Sequence, residues 1–298
     1  MCEHSKDIAC LVLNYNDSDT TVKFVKMIEK YWSIKNVVIV DNCSTDNSYK
    51  RLEKMQNSKI HVIRTEKNGG YGYGNNYGIQ YIAEKLASQY VLLCNPDVVI
   101  SNECILKLKS VIETNVDCVL TAPIQRMYIP NGKVVPPWRL ANTKEMVLSM
   151  SLILSKLLKI NLAYDYEKFK NYQVFQCDVI QGALYLADID FMYNNGKYDE
   201  EIFLYNEEEC LAQKIKKSGK ISLLYCNDYY LHQHSVSIDK SFKSFASKKK
   251  LQLKSRMQYL ERYSHLSKVE KTLIALFFKY CLIEAYVFQV IKKYLRRG

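Results

Sequence analysis

The chain has little of what breaks or cross-links a polypeptide. Its 298 residues include only 10 Gly and 5 Pro. That scarcity excludes a collagen-like repeat, a Pro-rich linker and low-complexity sequence. Trp is nearly absent at 2, against 24 Tyr. None of the ten cysteines forms a C-x-x-C pair, and no Cys/His set has zinc spacing. A secreted disulfide framework would be denser and sit in a shorter chain. The stretch from Met1 to Lys6 is short and polar, so no signal peptide is expected. The simplest expectation is a reduced, cytosolic protein. There is no G-x-x-x-x-G-K-[ST], and Tyr77 stands where G-x-G-x-x-G would need its last glycine. A P-loop NTPase and a dinucleotide oxidoreductase are both disfavoured. No internal repeat is visible.

What is present is ordinary globular material, with 48% hydrophobic and 24% charged residues. Wholesale disorder is excluded. At about 150 residues per domain the length suits two units, or one large α/β domain with an extension. The net charge of +11 is unevenly placed. Residues 240–298 hold 15 Lys and Arg against 3 Glu, while residues 1–239 hold 27 against 28 acidic groups. The body is neutral and the tail carries the excess, which suggests an anionic partner for the tail.

Apolar runs at 8–13, 37–40, 60–63 and 90–94 read as buried strands. Helical patterns at 18–31, 44–55 and 76–86 alternate with them. Four strand–helix alternations predict an open, mostly parallel sheet flanked by helices, a Rossmann-like α/β fold. Ligands sit at the carboxyl ends of such strands. Four polar clusters fall there: Asn14-Tyr-Asn16, Asp41-Asn42, the glycine-rich 68–75 loop and Asn95-Pro-Asp97. Residues 126–175 are less regular, with 145–158 reading as one apolar helix. Strands follow at 180–186 and 221–225. The expected divisions are 1–125, 126–239 and a basic helical extension at 240–298.

Asp97 follows a buried strand and a proline. With Asn95 as a neutral oxygen donor it suits Mg²⁺ or Mn²⁺, or it simply caps the turn. Asp41 either accepts from a ribose hydroxyl or base N–H, or caps the next helix. The glycines at 69, 70, 72 and 74 form a flexible turn, or a loop that approaches a ligand. Glu207-Glu208-Glu209 opens a helix, where acidic charge is favourable. Three in a row are costly together, so one carboxylate with a raised pKa could serve as a general base. His232 and His234 lie on one strand face, where imidazole either ligates a metal or plays a structural part. Trp138 and Arg139 either contact an acceptor or pack.

Taken in order, Val12-Leu-Asn-Tyr-Asn16, Val40-Asp-Asn-Cys-Ser-Thr-Asp46, Asn68-Gly-Gly-Tyr-Gly-Tyr-Gly-Asn-Asn76, Asn95-Pro-Asp-Val98, Gly182-Ala-Leu184, Tyr198 through Glu208, and His232 with Ser237 resemble family 2 glycosyltransferases. The similarity spans about residues 8–239 and is greatest to rhamnosyltransferase-like and galactofuranosyltransferase-like enzymes of bacterial surface polysaccharides. It implies a GT-A fold, a UDP- or dTDP-linked sugar donor, Mn²⁺ or Mg²⁺, and inversion at the anomeric carbon. By motif, Asp41 would hold the nucleoside beside Asn14 and Asn16. Asn68 and Asn75 would fix the loop over ribose and diphosphate. Asn95 stands for the first acid of the D-x-D-type motif, and Asp97 would bind the metal. Glu208 would be the base, and His232 would lie near metal and diphosphate. The absence of Q-x-x-R-W implies a non-processive enzyme. Glu208 stands where the family usually has Asp, and the family's acidic and basic positions after it are Cys210 and Gln213, which together motivate an alternative: a non-catalytic nucleotide-sugar or glycan-binding subunit. A nucleotidyltransferase is a third and weaker reading.

Residues 272–291 are mostly apolar but include Lys279, Glu284 and Gln289, which do not form one polar stripe on a helix. Lys292, Lys293, Arg296 and Arg297 follow. An interfacial helix on an anionic inner leaflet fits, serving a lipid-linked or other glycan acceptor at the inner face of the plasma membrane. A helix packed on the body, or on a second subunit of a homo-oligomer, fits equally. Lys248-Lys-Lys250 is basic, yet no nucleic-acid module pattern accompanies it, and no nucleic-acid partner is expected.

Overall fold

The computed structural model describes residues 5–129, 132–233 and 244–295. His234, Ser237, Arg296 and Arg297, singled out above, lie outside these. The first half is a parallel β/α succession. β1 (Ser5–Asn14), β2 (Ile34–Asp41), β3 (Ile60–Arg64) and β4 (Ser88–Cys94) are joined by α1 (Ser18–Ile28), α2 (Ser48–Leu52) and α3 (Tyr71–Lys85). All three pairings among these strands are parallel. The apolar runs explain why: residues buried on both faces suit a sheet covered on both sides by helices.

The second half is mixed. It contains β5 (Val98–Val99), α4 (Asn102–Thr114), β6 (Cys118–Met127), β7 (Val134–Val135), α5 (Thr143–Leu148), α6 (Leu152–Leu157), α7 (Tyr166–Phe169), β8 (Val174–Cys177), β9 (Leu184–Asp188), α8 (Ile189–Asn194), α9 (Glu207–Lys217) and β10 (Ile221–His232). The sheet runs β3-β2-β1-β4-β9-β6-β10-β5, with β7 on β6 and β8 on β10. β9 is antiparallel to both of its neighbours. Alternating strand residues feed two apolar layers: Ile8, Cys10 and Val12 on one face, Ala9 and Leu11 on the other. The nine described cysteines are all free, and eight of them are buried.

Three local expectations differ from the structure. The glycine-rich 68–75 segment is not a loop throughout, because α3 starts at Tyr71. Glycine here lets a helix lie close on the sheet: a Cβ on Gly74 or Gly78 would meet Leu13 or Leu11 at 2.4 or 2.3 Å. The apolar stretch 145–158 is two short helices, because Asn142 and Ser151 each cap a new start. The strand expected at 180–186 begins only at Leu184.

The extension forms α10 (Phe245–Tyr263) and α11 (Lys268–Leu295). They close a third apolar cluster of Met146, Ile202, Cys210, Leu253, Leu260 and Phe278, among others. Polar bonds fix α10 to the body. Ser255 Oγ donates to Leu204 O at 2.6 Å, and Tyr263 Oη donates to the Asp199 carboxylate at 2.6 Å.

Gly70 joins the two halves. Its φ is +93°, and a Cβ would stand 2.2 Å from the Phe203 carbonyl oxygen. Gly70→Ala should therefore lose roughly 2–4 kcal/mol in urea unfolding. An unchanged midpoint would mean that this contact is not held in solution.

Candidate functional site

A cleft of about 710 Å³ opens where β1, β4 and β10 end. That is where ligands are held in open α/β sheets. Of the residues expected from the sequence, Asn14, Asn68, Asn95, Asp97, Glu208 and His232 line it. Asp41, Asn16 and Asn75 are not on its wall.

Asp41 is completely buried at the end of β2. Its carboxylate accepts from Asn14 Nδ2 at 2.9 Å and from Ser44 N at 3.0 Å, and Arg64 Nε lies 3.3 Å away. It therefore faces Asn14 rather than open space. Asn14 also accepts from Thr21 Oγ1 at 2.9 Å, so its amide is fixed from both sides. Asn16, at φ +52°, ties the loop after β1 to Thr45 and Asp46. Asn tolerates that left-handed backbone. Asn75 is buried inside α3, and its amide donates to Tyr71 O at 3.0 Å. Asn68 accepts from Asn42 Nδ2 and from Gly70 N, both at 3.1 Å.

Asp97 sits just before β5, which pairs with the end of β10 in a register that sets Val98 opposite His232. His232 Nε2 lies 3.2 Å from Asp97 Oδ1. On its other side Nδ1 lies 3.3 Å from Gln125 Nε2, and Gln125 Oε1 accepts from Tyr230 Oη at 2.6 Å. In this arrangement the imidazole carries its proton on Nε2, facing Asp97. Turning the Gln125 amide over would offer Oε1 to an Nδ1 proton and free Nε2 as a ligand. Among the described residues no three His, Cys, Asp or Glu gather in a metal cluster. One carboxylate, one imidazole and the Asn95 amide are a lean donor set. They fit a hard cation that completes its shell with diphosphate oxygens and water.

The second element of the site is α9. Tyr205 and Asn206 both adopt φ +74°, a strained pair that turns the chain sharply into the helix. Glu208 Oε1 accepts from Gly182 N at 3.2 Å. A Cβ on residue 182 would stand 2.9 Å from that oxygen, so a side chain there would make the Glu208 carboxylate shift. Tyr71 Oη donates to Gly182 O at 2.7 Å and holds the same peptide from the other side. Burial, then the neighbouring Glu209 charge, push the Glu208 carboxyl up to about 7. Glu207 is buried too and is raised well above the usual range, by burial and then by Glu208. Its Oε1 finds no hydrogen-bond partner among the described residues.

Gln125 and Arg256 were not expected from the sequence. Gln125 lies two residues before the end of β6 and carries no motif. Arg256 comes from α10, lines the cleft and lies 4.0 Å from Glu209. Its Nε has no hydrogen-bond partner among the described residues. The only signal for α10 was the spacing of Ala246, Leu253 and Leu260, masked by the lysines around them. Trp138 does line the cleft, whereas Arg139 pairs with Glu145 at 2.5 Å.

The family model described as "Glycosyl transferase family 2" matches residues 10–169. A low-salt glycan biosynthesis hexosyltransferase, Agl10 of Haloferax volcanii, is 26% identical over 203 residues, or 68% of this chain. The chain spans 59% of that relative's length. Among solved structures, GalNAc-T7 with UDP, GalNAc and Mn²⁺ has a TM-score of 0.58 at 16% identity, covering 79% of this chain and 45% of that one. The mannosyltransferase PcManGT of Pyrobaculum calidifontis, in complex with GDP-Man and Mn²⁺, has 0.57 at 11% identity over 96% and 76%. S. aureus TarS 1-349 has 0.53 at 16% identity over 92% and 71%. At these identities the structural likeness shows the GT-A fold.

A carboxyl raised from 4.5 to about 7 keeps its proton in the folded chain after the unfolded chain has lost it. Stability must then fall as pH rises through that window and level off above it. Gln cannot titrate and still offers an oxygen to Gly182 N. Glu208→Gln should match wild type near pH 4.5 and be about 1–3 kcal/mol more stable at pH 8. Urea unfolding at the two pH values would show it; a pH-independent difference would contradict the buried setting of Glu208.

Proposed function

The chain belongs to glycosyl transferase family 2, and on that premise we propose that it is an inverting, metal-dependent hexosyltransferase that adds one sugar at a time. The observation that supports this most is one cleft holding both a glycine-seated carboxylate with a pKa near 7 and an Asp97–His232 pair at the strand ends. The donor is a nucleotide-diphosphate sugar, UDP- or dTDP-linked, with rhamnose as the candidate sugar. The acceptor is a glycan or a lipid-linked precursor of a surface polysaccharide.

Glu208 takes the proton from the acceptor hydroxyl as that oxygen attacks the anomeric carbon, and the diphosphate departs from the opposite face. A single displacement inverts the centre and needs one base. Gly182 N–H and the surrounding burial keep Glu208 oriented and poised near neutral pH. Asp97 and His232, with Asn95 beside them, are the residues that would hold Mn²⁺ or Mg²⁺. When bound, the cation neutralises charge on the leaving diphosphate. Asn68 presents its amide to the nucleotide, and Asp41 holds Asn14 in the wall beside it. Arg256 gives the wall a cation suited to an anionic acceptor. The basic tail makes a peripheral contact at the inner membrane face.

The non-catalytic reading drew on Glu208, Cys210 and Gln213. The last two face the extension: Cys210 packs in the third apolar cluster, and Gln213 Nε2 donates to Tyr259 Oη at 2.8 Å. Docking of α10 accounts for those two residue types.

Turnover should rise with pH and level off above an apparent pKa near 7, because the base acts deprotonated. Glu208→Gln should lower kcat by about 10²–10⁴-fold. It should leave intact the rise in Tm that a nucleoside diphosphate with Mn²⁺ produces. Asp97→Ala should abolish that metal-dependent rise. Full turnover in Glu208→Gln would remove the base assignment, and nucleotide binding with no turnover in wild type would favour a binding subunit.

A further inference from the structure

We propose that α6 and α11 together form one lipid-seating surface, which holds the mouth of the cleft against an anionic membrane. This deepens the peripheral-contact reading above by adding a second element from the body of the enzyme.

α11 is arranged inside out for a helix in water. Two of its polar residues, Glu284 and Gln289, turn inward and cap other helices. The Glu284 carboxylate accepts from Ser151 Oγ at 3.1 Å, Leu152 N at 2.6 Å and Ile153 N at 2.8 Å, at the start of α6. Gln289 Oε1 accepts from Ala246 N at 3.0 Å, at the start of α10. The outer stripe is apolar: Val269, Leu273, Leu276, Ile283, Val287 and Ile291 are each more than half exposed. Their spacing of three, four or seven residues places them on one face. α6 continues the patch. Ile153, Leu157 and Leu158 are exposed, and the Glu284 cap fixes this short helix to α11.

Charge identifies the occupant. Lys156 and Lys159 beside the α6 patch, and Lys279, Lys292 and Lys293 on α11, are all exposed. A second copy would bring the same cations together, whereas an anionic leaflet neutralises them. The apolar face with flanking lysines is that of a helix lying in the headgroup region. By length and hydropathy Lys268–Lys293 is sufficient to cross a membrane. Crossing would strip Glu284 of its three donors and carry the carboxylate into hydrocarbon.

The position of the patch gives it a purpose. Met150, directly before the α6 cap residue Ser151, lines the cleft, and so does Arg256 of α10. A lipid-linked acceptor held at this surface has its headgroup beside the cleft entrance.

The test is vesicle flotation of the full chain, with phosphatidylglycerol–phosphatidylcholine vesicles against phosphatidylcholine alone. Wild type should float with the anionic vesicles and release in high salt. Replacing Ile153, Leu157 and Leu158 together by Ser should weaken binding at least tenfold, and so should Leu276, Ile283 and Val287 to Ser. Both sets are solvent-exposed, and the nucleotide-induced Tm shift serves as the check on the fold. Unchanged binding of the α6 variant, with loss in the α11 variant, would overturn the composite surface while leaving the tail contact. No binding by wild type would overturn the membrane reading, with the donor site still reported separately by the Tm shift. Dimers in lipid-free solution that dissociate in the α11 variant would assign the stripe to a second copy instead.

Discussion

The antiparallel insertion of β9 between β4 and β6 is the constraint on which the cleft depends. The parallel half alone would end at β4, with its polar loops facing open solvent. β9 joins the halves into one sheet, and the residues leading into it form the floor of the site. Asn95 N donates to Ala183 O at 2.8 Å, which places the turn bearing Asp97. Gly182 receives Glu208 on its N–H and Tyr71 on its carbonyl. The segment 182–183 thus gathers the end of β4, the start of α3 and the start of α9. A Cβ at 182 would displace the Glu208 carboxylate from this gathering, while the backbone bonds of 182 and 183 do not depend on it.

The electrostatics run against stability. Glu207, Glu208 and Glu209 begin one helix and are all largely buried in the cleft wall. Helix N-termini favour acidic charge, but only by fractions of a kcal/mol to about 2 kcal/mol. Burial of adjacent carboxylates costs more, so Glu207 and Glu208 are both pushed up, while the Gly182 N–H partly holds Glu208 back. Strained backbone at Tyr205 and Asn206 adds to the same local cost. Sites that hold poised acids and bases are often less stable than their isosteres.

The C-terminal extension is part of the same architecture. Asp199 shows how tightly it is bound in: Lys214, Arg262 and Tyr263 all converge on that carboxylate. α10 covers one face of α9, supplies Arg256 to the cleft and explains two residues that depart from the family pattern. α11 braces α6 and α10 through its two polar caps. The apolar character that made residues 272–291 ambiguous as sequence therefore resolves into two faces with different tasks.

Much was legible without the structure. Continuous apolar runs alternating with amphipathic stretches determined a β/α sheet, because backbone satisfaction and burial leave few other arrangements. The polar clusters after those runs marked the strand ends, and with them Asn14, Asn68, Asn95 and Asp97. Local spacing could not tell that Asp41 and Asn75 turn away from the cleft, since both strand ends and helix interiors accept short polar side chains. Nor could it reveal Gln125 or Arg256, which carry no local signal. Sequence order alone fixed which chemical groups the chain possesses and roughly where each strand stops. The tertiary structure decided which of them meet: the β5–β10 register brings His232 to Asp97 across 135 positions, and the chain before β9 brings the Gly182 N–H to Glu208. Both are long-range packing events, set by pairing and close approach that no short window of residues encodes.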